Sequence, residues 1–359
     1  MPAFPVEVLF ELLALKNLFD KKTFLKKMEK IKKTKFGLPK SQGVVYMGES
    51  FSLVGRSMYD LDDYTAEEIT GILDTAVVMK EINLRDYKKL PTLRGKTVCT
   101  LFVENSTRTK ISFELAASRL SADLISFEAE TSSLQKGESL QDTVETLNAM
   151  GIDLYVIRHS SPGSPQLVNK YSGKPVLNGG DGRHAHPTQA LLDMFSIREV
   201  LGTLQGLKIV IVGDITNSRV VRSNLIGLKK MGSEVTICGP RTLVPGHMEE
   251  VYGCKVDYDL KSALKDADVV MGLRMQLERQ TEGLFPSLEE YSKHYSISKE
   301  TIHFAKPNAL VMHPGPMNRG IEILPEIAES SQSVIIEQVT NGVAVRMALL
   351  FLILGGVKN

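Results

Sequence analysis

The sequence predicts an α/β protein with two doubly wound parallel-sheet domains joined by interdomain helices. The chain has 359 residues, 43% of them hydrophobic, and a single core rarely grows beyond about 300 residues. Apolar strand-like runs alternate with amphipathic helix-like runs, which is typical of a parallel sheet with helices on both faces. This alternation occurs twice, before and after the glycines at positions 202 and 206.

The first half begins with a helix after Thr65, which can cap it because acidic residues follow and apolar residues recur at helical spacing. The pattern then predicts strand 97–103, helix 107–120, strand 123–127, helix 139–150, strand 154–157 and strand 175–177. A long helix should run from Pro187 to Leu201 and lead into the second half.

The second half repeats the alternation. It predicts strand 208–212, helix 219–231, strand 234–238, helix 260–265 and strands 269–273, 310–312 and 334–336. The last apolar stretch, 342–354, is predicted to be a helix that can pack on either half.

Composition and charge exclude several functional classes. Lys and Arg total 43 against 42 Asp and Glu, so no global field recruits nucleic acid or an anionic membrane. No apolar run reaches the roughly 18 residues of a membrane span. Cys99, Cys238 and Cys254 have no zinc-type spacing, so we expect buried reduced thiols, a cytoplasmic protein, no metal and no cofactor.

Residues 1–51 form a basic extension. Residues 21–35 are rich in lysine, with Glu29 as the acid, and residues 1–51 contain no arginine. An organelle-targeting peptide would be rich in arginine and poor in acids. We interpret the segment as a lysine-rich amphipathic helix that faces solvent, a partner or a neighbouring subunit.

Polar residues follow the predicted strands of the first half, where α/β sheets bind ligands. After strand 97–103, a helix amino terminus with Ser106, Thr107, Arg108 and Thr109 can hold a phosphate without a glycine-rich loop. The alternative is that Asn105 or Ser106 simply caps the helix and that Arg108 is a surface charge.

Three further positions of the first half favour anion or carbonyl binding. Ser133 and Lys136 lie on a polar turn, where a lysine is more often solvent-facing than functional, and Arg158 ends a buried strand. His186 and Gln189 share a helix face and can both donate to one carbonyl group, unless His186 merely caps that helix.

The second half supplies groups suited to carboxylates. Arg219 opens a helix, and Arg274 and Gln276 should point the same way after strand 269–273. Pro314 and Gly315 shape a loop with exposed carbonyls. No general base, activated nucleophile or dinucleotide fingerprint accompanies them, which disfavours a nicotinamide-dependent dehydrogenase and favours a transfer reaction driven by positioning and charge.

These residues belong to motifs that resemble the aspartate/ornithine carbamoyltransferase family. FVENSTRT, SLQKGES, VIRH, HPTQALLD, RMQLER and HPGPMNRG occur in the family's order over about residues 52–357. HPTQ, RMQLER and HPGP resemble the aspartate-specific members rather than the ornithine-specific ones. The resemblance implies transfer of the carbamoyl group of carbamoyl phosphate to L-aspartate in pyrimidine (UMP) biosynthesis.

The resemblance also implies a role for each site residue. Ser106, Thr107, Arg108 and Thr109 would hold the phosphate, and Thr109, Arg158 and His186 would polarise the carbonyl. Gln189, Pro314 and Gly315 would bind the carbamoyl NH2 group, and Arg219, Arg274 and Gln276 would bind aspartate. Lys136 would contact both substrates, and together with Ser133 it would enter the site from an adjacent subunit of a homotrimer.

The implied domains are a carbamoyl phosphate-binding domain, 52–190 plus 338–357, and an aspartate-binding domain, 191–337. Two hypotheses stay open: that a regulatory or pathway-enzyme partner binds the chain, and that the chain is a carbamoyltransferase-like scaffold without catalytic activity. Arg183-His184-Ala185 departs from the family, which often has Gln directly before HPT.

Overall fold

A computed structural model describes residues 53–128, 137–276 and 287–355. The chain divides into two compact units, 1–53 and 54–359, and the second unit contains both sheets. The basic extension expected over residues 1–51 lies outside the described residues, as do Ser133 and Lys136.

The first sheet has four parallel strands in the order β2-β1-β3-β4. Its strands are β1 Thr97–Phe102, β2 Asp123–Glu128, β3 Leu154–His159 and β4 Val176–Asp181, and its helices are α1 Ala66–Asn83, α2 Thr107–Arg119, α3 Leu140–Ala149 and α4 Ser164–Ser172. Thr65 caps α1 through a capping box with Glu68, as its sequence predicted. Leu101, Tyr155 and Ile157 are among the residues that form an apolar core with no solvent exposure around these strands.

The second sheet has five parallel strands in the order β7-β6-β5-β8-β9. Its strands are β5 Lys208–Val212, β6 Glu234–Cys238, β7 Lys255–Asp257, β8 Val269–Gly272 and β9 Leu310–Met312. Val210, Val270 and Val311 belong to its separate buried core. The fold therefore contains the two doubly wound parallel sheets that the alternation predicted.

Two long helices join the halves. Helix α5, Pro187–Leu201, begins with proline at its first position and ends at Gly202, whose φ of +78° is the left-handed conformation that glycine favours. The shorter helices of the second half are α6 Arg219–Lys230, α7 Met248–Tyr252, α8 Leu260–Leu264, α9 Leu288–Tyr295, α10 Lys299–Ile302 and α11 Pro325–Ala328, and the C-terminal helix is α12 Ile335–Leu354. Helix α12 packs on α1, α2 and α5, which answers the question of which half the last apolar stretch contacts.

The strand predicted over residues 334–336 is wrong, because α12 already begins at Ile335. The short β-branched run there is compatible with a strand or a helix, and only tertiary packing distinguishes the two. Ile336 is 74% exposed while Gln338 is buried, the reverse of the apolar-inward pattern expected of a core element. Elements α4, β7, α7 and α9 to α11 were not predicted.

Among the described helices, α12 is the one whose length and apolar composition would allow it to cross a membrane. Of its most apolar window, 61% is buried inside the protein, against α1, α2 and α5. A buried core helix passes the same test, so the apolarity of α12 is explained by the fold.

Candidate active site

The candidate site is a cavity of about 670 Å³ at the carboxyl ends of both sheets. The strand order reverses beside β1 and β3 in the first sheet and beside β5 and β8 in the second. Such reversals open a crevice because the following connections run to opposite faces of the sheet. Of the residues predicted from the sequence, the cavity is lined by Ser106, Thr107, Arg108, Thr109, Arg158, His186, Gln189, Arg219, Arg274, Gln276, Pro314 and Gly315.

The amino terminus of α2 contributes the cavity's hydroxyl groups. Ser106 occupies the N-cap position, but its side chain makes no capping hydrogen bond. Arg108 has no acidic partner among the described residues. Burial, and then the Arg274 guanidinium, lower the pKa of Arg108. Arg108 is exposed, but it lines the cavity with Ser106, Thr107 and Thr109. The cluster therefore offers donors to an anion.

Glu104 lines the cavity and was not among the site residues predicted from the sequence. It lies at the end of β1, where Arg158 Nη2 donates to its Oε1 at 2.9 Å and Arg219 Nη1 donates to its Oε2 at 3.1 Å. Arg219 Nη2 also pairs with Glu104 Oε1. One carboxylate thus connects an arginine of the first sheet with an arginine of α6. Its position within FVENSTRT could have indicated this, because an acidic residue is unexpected beside residues that suit anion binding.

The same two arginines contact the last residues of β4 and the residue that follows the strand. Arg158 Nη1 donates to the carbonyl of Gly179 at 3.1 Å, and Arg219 Nη1 donates to that of Gly182 at 3.2 Å. Gly180 has φ +119°, and a Cβ there would lie 3.0 Å from Arg219 Nε. Glycine is required at this position because both the backbone angle and the close approach exclude a side chain.

The segment that departs from the family is held by Asp181. Its carboxylate accepts from His184 Nδ1 at 3.0 Å, from Ala185 N at 3.2 Å and from Gly163 N at 2.8 Å. The hydrogen bond to Asp181 raises the pKa of His184. Hydrogen bonds to Asp181 therefore hold the loop that leads to His186, and the bond from His184 becomes an ion pair when that imidazole is protonated.

His186 occupies the N-cap position before α5 and is 4% exposed. Its side chain makes no capping bond, and its Nδ1 has no hydrogen-bond partner among the residues that the structure describes. Burial, together with the charges of Arg158, Arg219 and Arg346, lowers the pKa of His186 well below its usual value. The imidazole is therefore neutral at physiological pH, so one ring nitrogen donates and the other accepts.

The Gln189 amide differs from the expectation, drawn from the shared helix face, that it donates to one carbonyl group together with His186; the family resemblance implied a different role, at the carbamoyl NH2. Its Nε2 donates to Asp193 Oδ1 at 2.9 Å, so this amide does not donate to the same carbonyl group as His186. The amide oxygen is the end that remains to face the cavity. Sequence spacing placed Gln189 on the correct face but could not reveal the orientation of its amide.

The second sheet contributes Arg274 and Gln276. Met275 between them is fully buried while both neighbours line the cavity, so the alternation expected of an extended segment continues after β8 ends at Gly272. Glu322 accepts from Met275 N at 2.9 Å and anchors the segment.

The loop after β9 approaches Arg108 at the amino terminus of α2. Gly315 has φ +64°, and a Cβ on it would lie 2.9 Å from Arg108 Cζ. Gly315 N donates to His313 Nδ1 at 2.9 Å. Burial, and then Arg108 and Arg274, lower the pKa of His313 to about 3, which keeps it neutral as an acceptor.

The cavity as a whole is strongly positive. Arginines at positions 108, 158, 219, 274 and 346 line it, and Glu104 is the acid among its described lining residues. Guanidinium groups held this close together favour anions with several oxygen atoms, such as phosphates and carboxylates. The fold class and the lining residues therefore point to the same kind of site: two parallel α/β halves form a cavity whose arginines suit anionic ligands.

Family models match both halves of the chain, one described as the carbamoyl-P binding domain of aspartate/ornithine carbamoyltransferase over residues 56–199 and one as the Asp/Orn binding domain over residues 205–353. The chain therefore belongs to the aspartate/ornithine carbamoyltransferase family.

Within that family, its relatives lie on the aspartate side. The aspartate carbamoyltransferase catalytic subunit of Moorella thermoacetica is 58% identical over 301 residues, which cover 84% of this chain and 98% of the relative. That of a Roseiflexus species is 55% identical over 303 residues, 84% of this chain and 95% of the relative.

Solved structures of both branches share the fold. Ornithine carbamoyltransferase from Pyrococcus furiosus has a TM-score of 0.77 at 33% identity and covers 86% of this chain and 100% of its own. Aspartate transcarbamoylase from Trypanosoma cruzi, solved with carbamoyl phosphate and aspartate, has a TM-score of 0.76 at 29% identity and covers 84% of this chain and 98% of its own. Neither the TM-scores nor the identities of these two structures separate the branches. The 55% and 58% identity to aspartate carbamoyltransferase catalytic subunits does.

Proposed function

We propose that this cavity transfers the carbamoyl group of carbamoyl phosphate to the amino group of L-aspartate, giving N-carbamoyl-L-aspartate and phosphate in pyrimidine biosynthesis. The observation that carries the proposal is the set of arginines that both halves direct into one cavity. A dicarboxylate acceptor fits this charge, whereas the cationic side chain of ornithine would be repelled.

The phosphate binds at the start of α2. Ser106, Thr107 and Thr109 supply hydroxyl groups, Arg108 supplies charge, and the free N–H groups of the first helical turn complete the site. Gly315 leaves room for Arg108 to reach the phosphate.

The carbamoyl group lies between α2 and α5. Thr109, Arg158 and neutral His186 donate to its carbonyl oxygen and stabilise the negative charge that develops there. Gln189 accepts from its NH2 group, together with the backbone carbonyls of Pro314 and Gly315.

The reaction then needs no protein base. The lone pair of the aspartate amine attacks the carbonyl carbon and the new C–N bond forms. The C–O bond to phosphate breaks with its electrons on the phosphate, which accepts the amine proton. Catalysis is supplied by orientation and by charge stabilisation.

The aspartate carboxylates bind on the side of the second sheet, at Arg219, Arg274 and Gln276. Arg219 also pairs with Glu104, so this residue joins the two substrate regions. We assign a carbamoyl phosphate-binding domain to residues 52–190 plus 338–357 and an aspartate-binding domain to 191–337. The packing of α12 on α1 and α2 supports the inclusion of the C-terminal segment in the first.

The proposed enzyme is a cytoplasmic homotrimer with shared active sites. Ser133 and Lys136 would enter the cavity of an adjacent subunit and add a cation that serves both substrates. The three buried free thiols fit a reducing compartment. A regulatory or pathway-enzyme partner would use the basic extension, 1–51.

Formation of carbamoyl aspartate by the purified chain tests the activity directly. We expect product with aspartate and none with ornithine under the same conditions. Carbamoylation of ornithine in place of aspartate would refute the acceptor, and no transfer to either would refute the enzyme assignment in favour of a scaffold.

Mixed subunits test the shared site. Lys136→Ala and Arg108→Ala chains should each be inactive, but exchange of their subunits should restore activity, because some sites then receive an intact Arg108 and an intact Lys136. Native mass spectrometry would show that the chains have exchanged. If activity is not recovered after that exchange, the site is not built from two subunits.

A further inference from the structure

The Asp193 carboxylate binds three side-chain amides beneath the cavity. Asp193 is fully buried on α5, one turn after Gln189. Its Oδ1 accepts from Gln189 Nε2 at 2.9 Å and from Gln338 Nε2 at 2.8 Å, and its Oδ2 accepts from Asn224 Nδ2 at 2.9 Å. These amides come from α5, α12 and α6, so one carboxylate contacts three helices around the site.

An ionised carboxylate can only accept hydrogen bonds, so it determines which end of each amide faces it. The orientation of Gln338 has an independent check, because its Oε1 accepts from the backbone N–H of His313 at 3.0 Å and a backbone N–H can only donate. Asn224 Nδ2 also donates to the Val220 carbonyl, at 3.1 Å, which can only accept.

The charge state of Asp193 supports this arrangement. Burial raises the pKa of Asp193 to about 6, against the hydrogen bonds from Asn224, Gln338 and Gln189 and the charge of Arg346, which lower it. The carboxylate is therefore ionised at pH 8 and acts as an acceptor there.

We propose that Asp193 is a positioning residue that sets the enzyme's preference for a carbamoyl over an acetyl donor. By binding the NH2 end of Gln189, it directs the amide oxygen into the cavity, where that oxygen accepts from the carbamoyl NH2. A methyl group in the same place leaves this buried acceptor unpaired and is disfavoured. The inference rests on the proposed function of the site.

A neutral amide at position 193 would remove the constraint. Asn has both a donor and an acceptor, so Gln189 can rotate and present its NH2 end to the cavity without losing its bond to residue 193. The donor NH2 group would then meet another donor. Asp193→Asn keeps nearly the same volume, so packing changes little.

The test compares carbamoyl phosphate with acetyl phosphate at pH 8. The KM of carbamoyl phosphate and the inhibition constant of acetyl phosphate are measured on the full chain, and their ratio gives the preference. We expect Asp193→Asn to reduce the preference by roughly tenfold or more through weaker carbamoyl phosphate binding, with acetyl phosphate little affected. A ratio unchanged in a folded Asp193→Asn protein would overturn the proposal.

Three further variants separate positioning from general damage. Asn224→Leu removes the bond to the other carboxylate oxygen at a residue outside the cavity lining and leaves Gln189 held, so its ratio should stay near that of the unmodified chain. A loss as large as that of Asp193→Asn would indicate a structural role. Gln189→Met should lose the preference, and adding Asp193→Asn to it should change the ratio no further. Additive losses would contradict action through Gln189.

Two outcomes keep the inference distinct from the proposed function. If the unmodified chain makes no carbamoyl aspartate, the proposed function fails first. If the chain is active and Asp193→Asn does not fold, Gln189→Met still decides, because an unchanged ratio in that variant would overturn the inference.

Discussion

Replacement of Glu104 by Gln tests whether one carboxylate organises both halves of the cavity. Glu104 accepts from Arg158 at 2.9 Å and pairs with Arg219 through both of its oxygens. The side chains of Glu104, Arg158 and Arg219 are 22%, 13% and 6% exposed. Gln preserves the shape but removes the charge, and its NH2 group must face guanidinium N–H groups.

The expected cost follows from these contacts. A hydrogen bond between charged partners contributes about 1.5 to 3 kcal/mol, and low exposure limits screening by water. One oxygen of Gln still accepts, so we expect about 3 kcal/mol of lost transition-state stabilisation. At about 1.4 kcal/mol per factor of ten, kcat/KM should fall roughly 100-fold.

The assay is carbamoyl aspartate formation with each substrate varied in turn. Glu114→Gln is the matched control, because the Glu114 side chain is 23% exposed and accepts a hydrogen bond from Ser126 on β2, outside the cavity lining. We expect this control to retain activity within about twofold. A Glu104→Gln enzyme that is folded and within about threefold of the unmodified chain would refute the bridging role.

Two other predictions concern a glycine and an ion pair. Gly315→Ala should raise the KM of carbamoyl phosphate by about tenfold or more, because its Cβ would meet Arg108. Gly320→Ala is the control: Gly320 has φ +82° and nothing within 4 Å of its Cβ position, so this variant carries similar backbone strain and should leave the KM unchanged. Equal effects of the two variants would contradict the steric argument. The pKa of His184 is raised by Asp181, so their ion pair stabilises the fold fully below the ordinary His pKa and loses this contribution as pH rises through the folded value. His184→Gln should therefore lower Tm more at pH 6 than at pH 8.5, and equal decreases in thermal melts would argue against it.

The strands and the polar residues after them could be predicted because both depend on local patterns. Strands β5, β6 and β9 have the predicted bounds, and α5 runs from Pro187 to Leu201 as expected, because proline and glycine mark its ends. The carboxyl ends of parallel strands lie on one edge of a sheet, so residues far apart in sequence could be assigned to one site.

Contacts between distant residues could not be predicted in this way. Glu104 meets Arg219 across 115 positions, and Asp193 meets Gln338 across 145. The false strand at 334–336 has the same origin, since the packing of α12 on α1, α2 and α5 selects a helix there. The roles of Ser133 and Lys136 stay predictions from the sequence.

The sequence by itself determined the fold class, the two halves and the chemical character of the cavity, because hydrophobic periodicity and residue type are local properties of the chain. Only the tertiary structure decided that Glu104 connects two arginines, that the Gln189 amide donates to Asp193 and that burial and neighbouring arginines lower the pKa of His186. Hydrogen-bond direction and pKa depend on which groups surround a side chain and how far water is excluded, and folding alone brings those groups together.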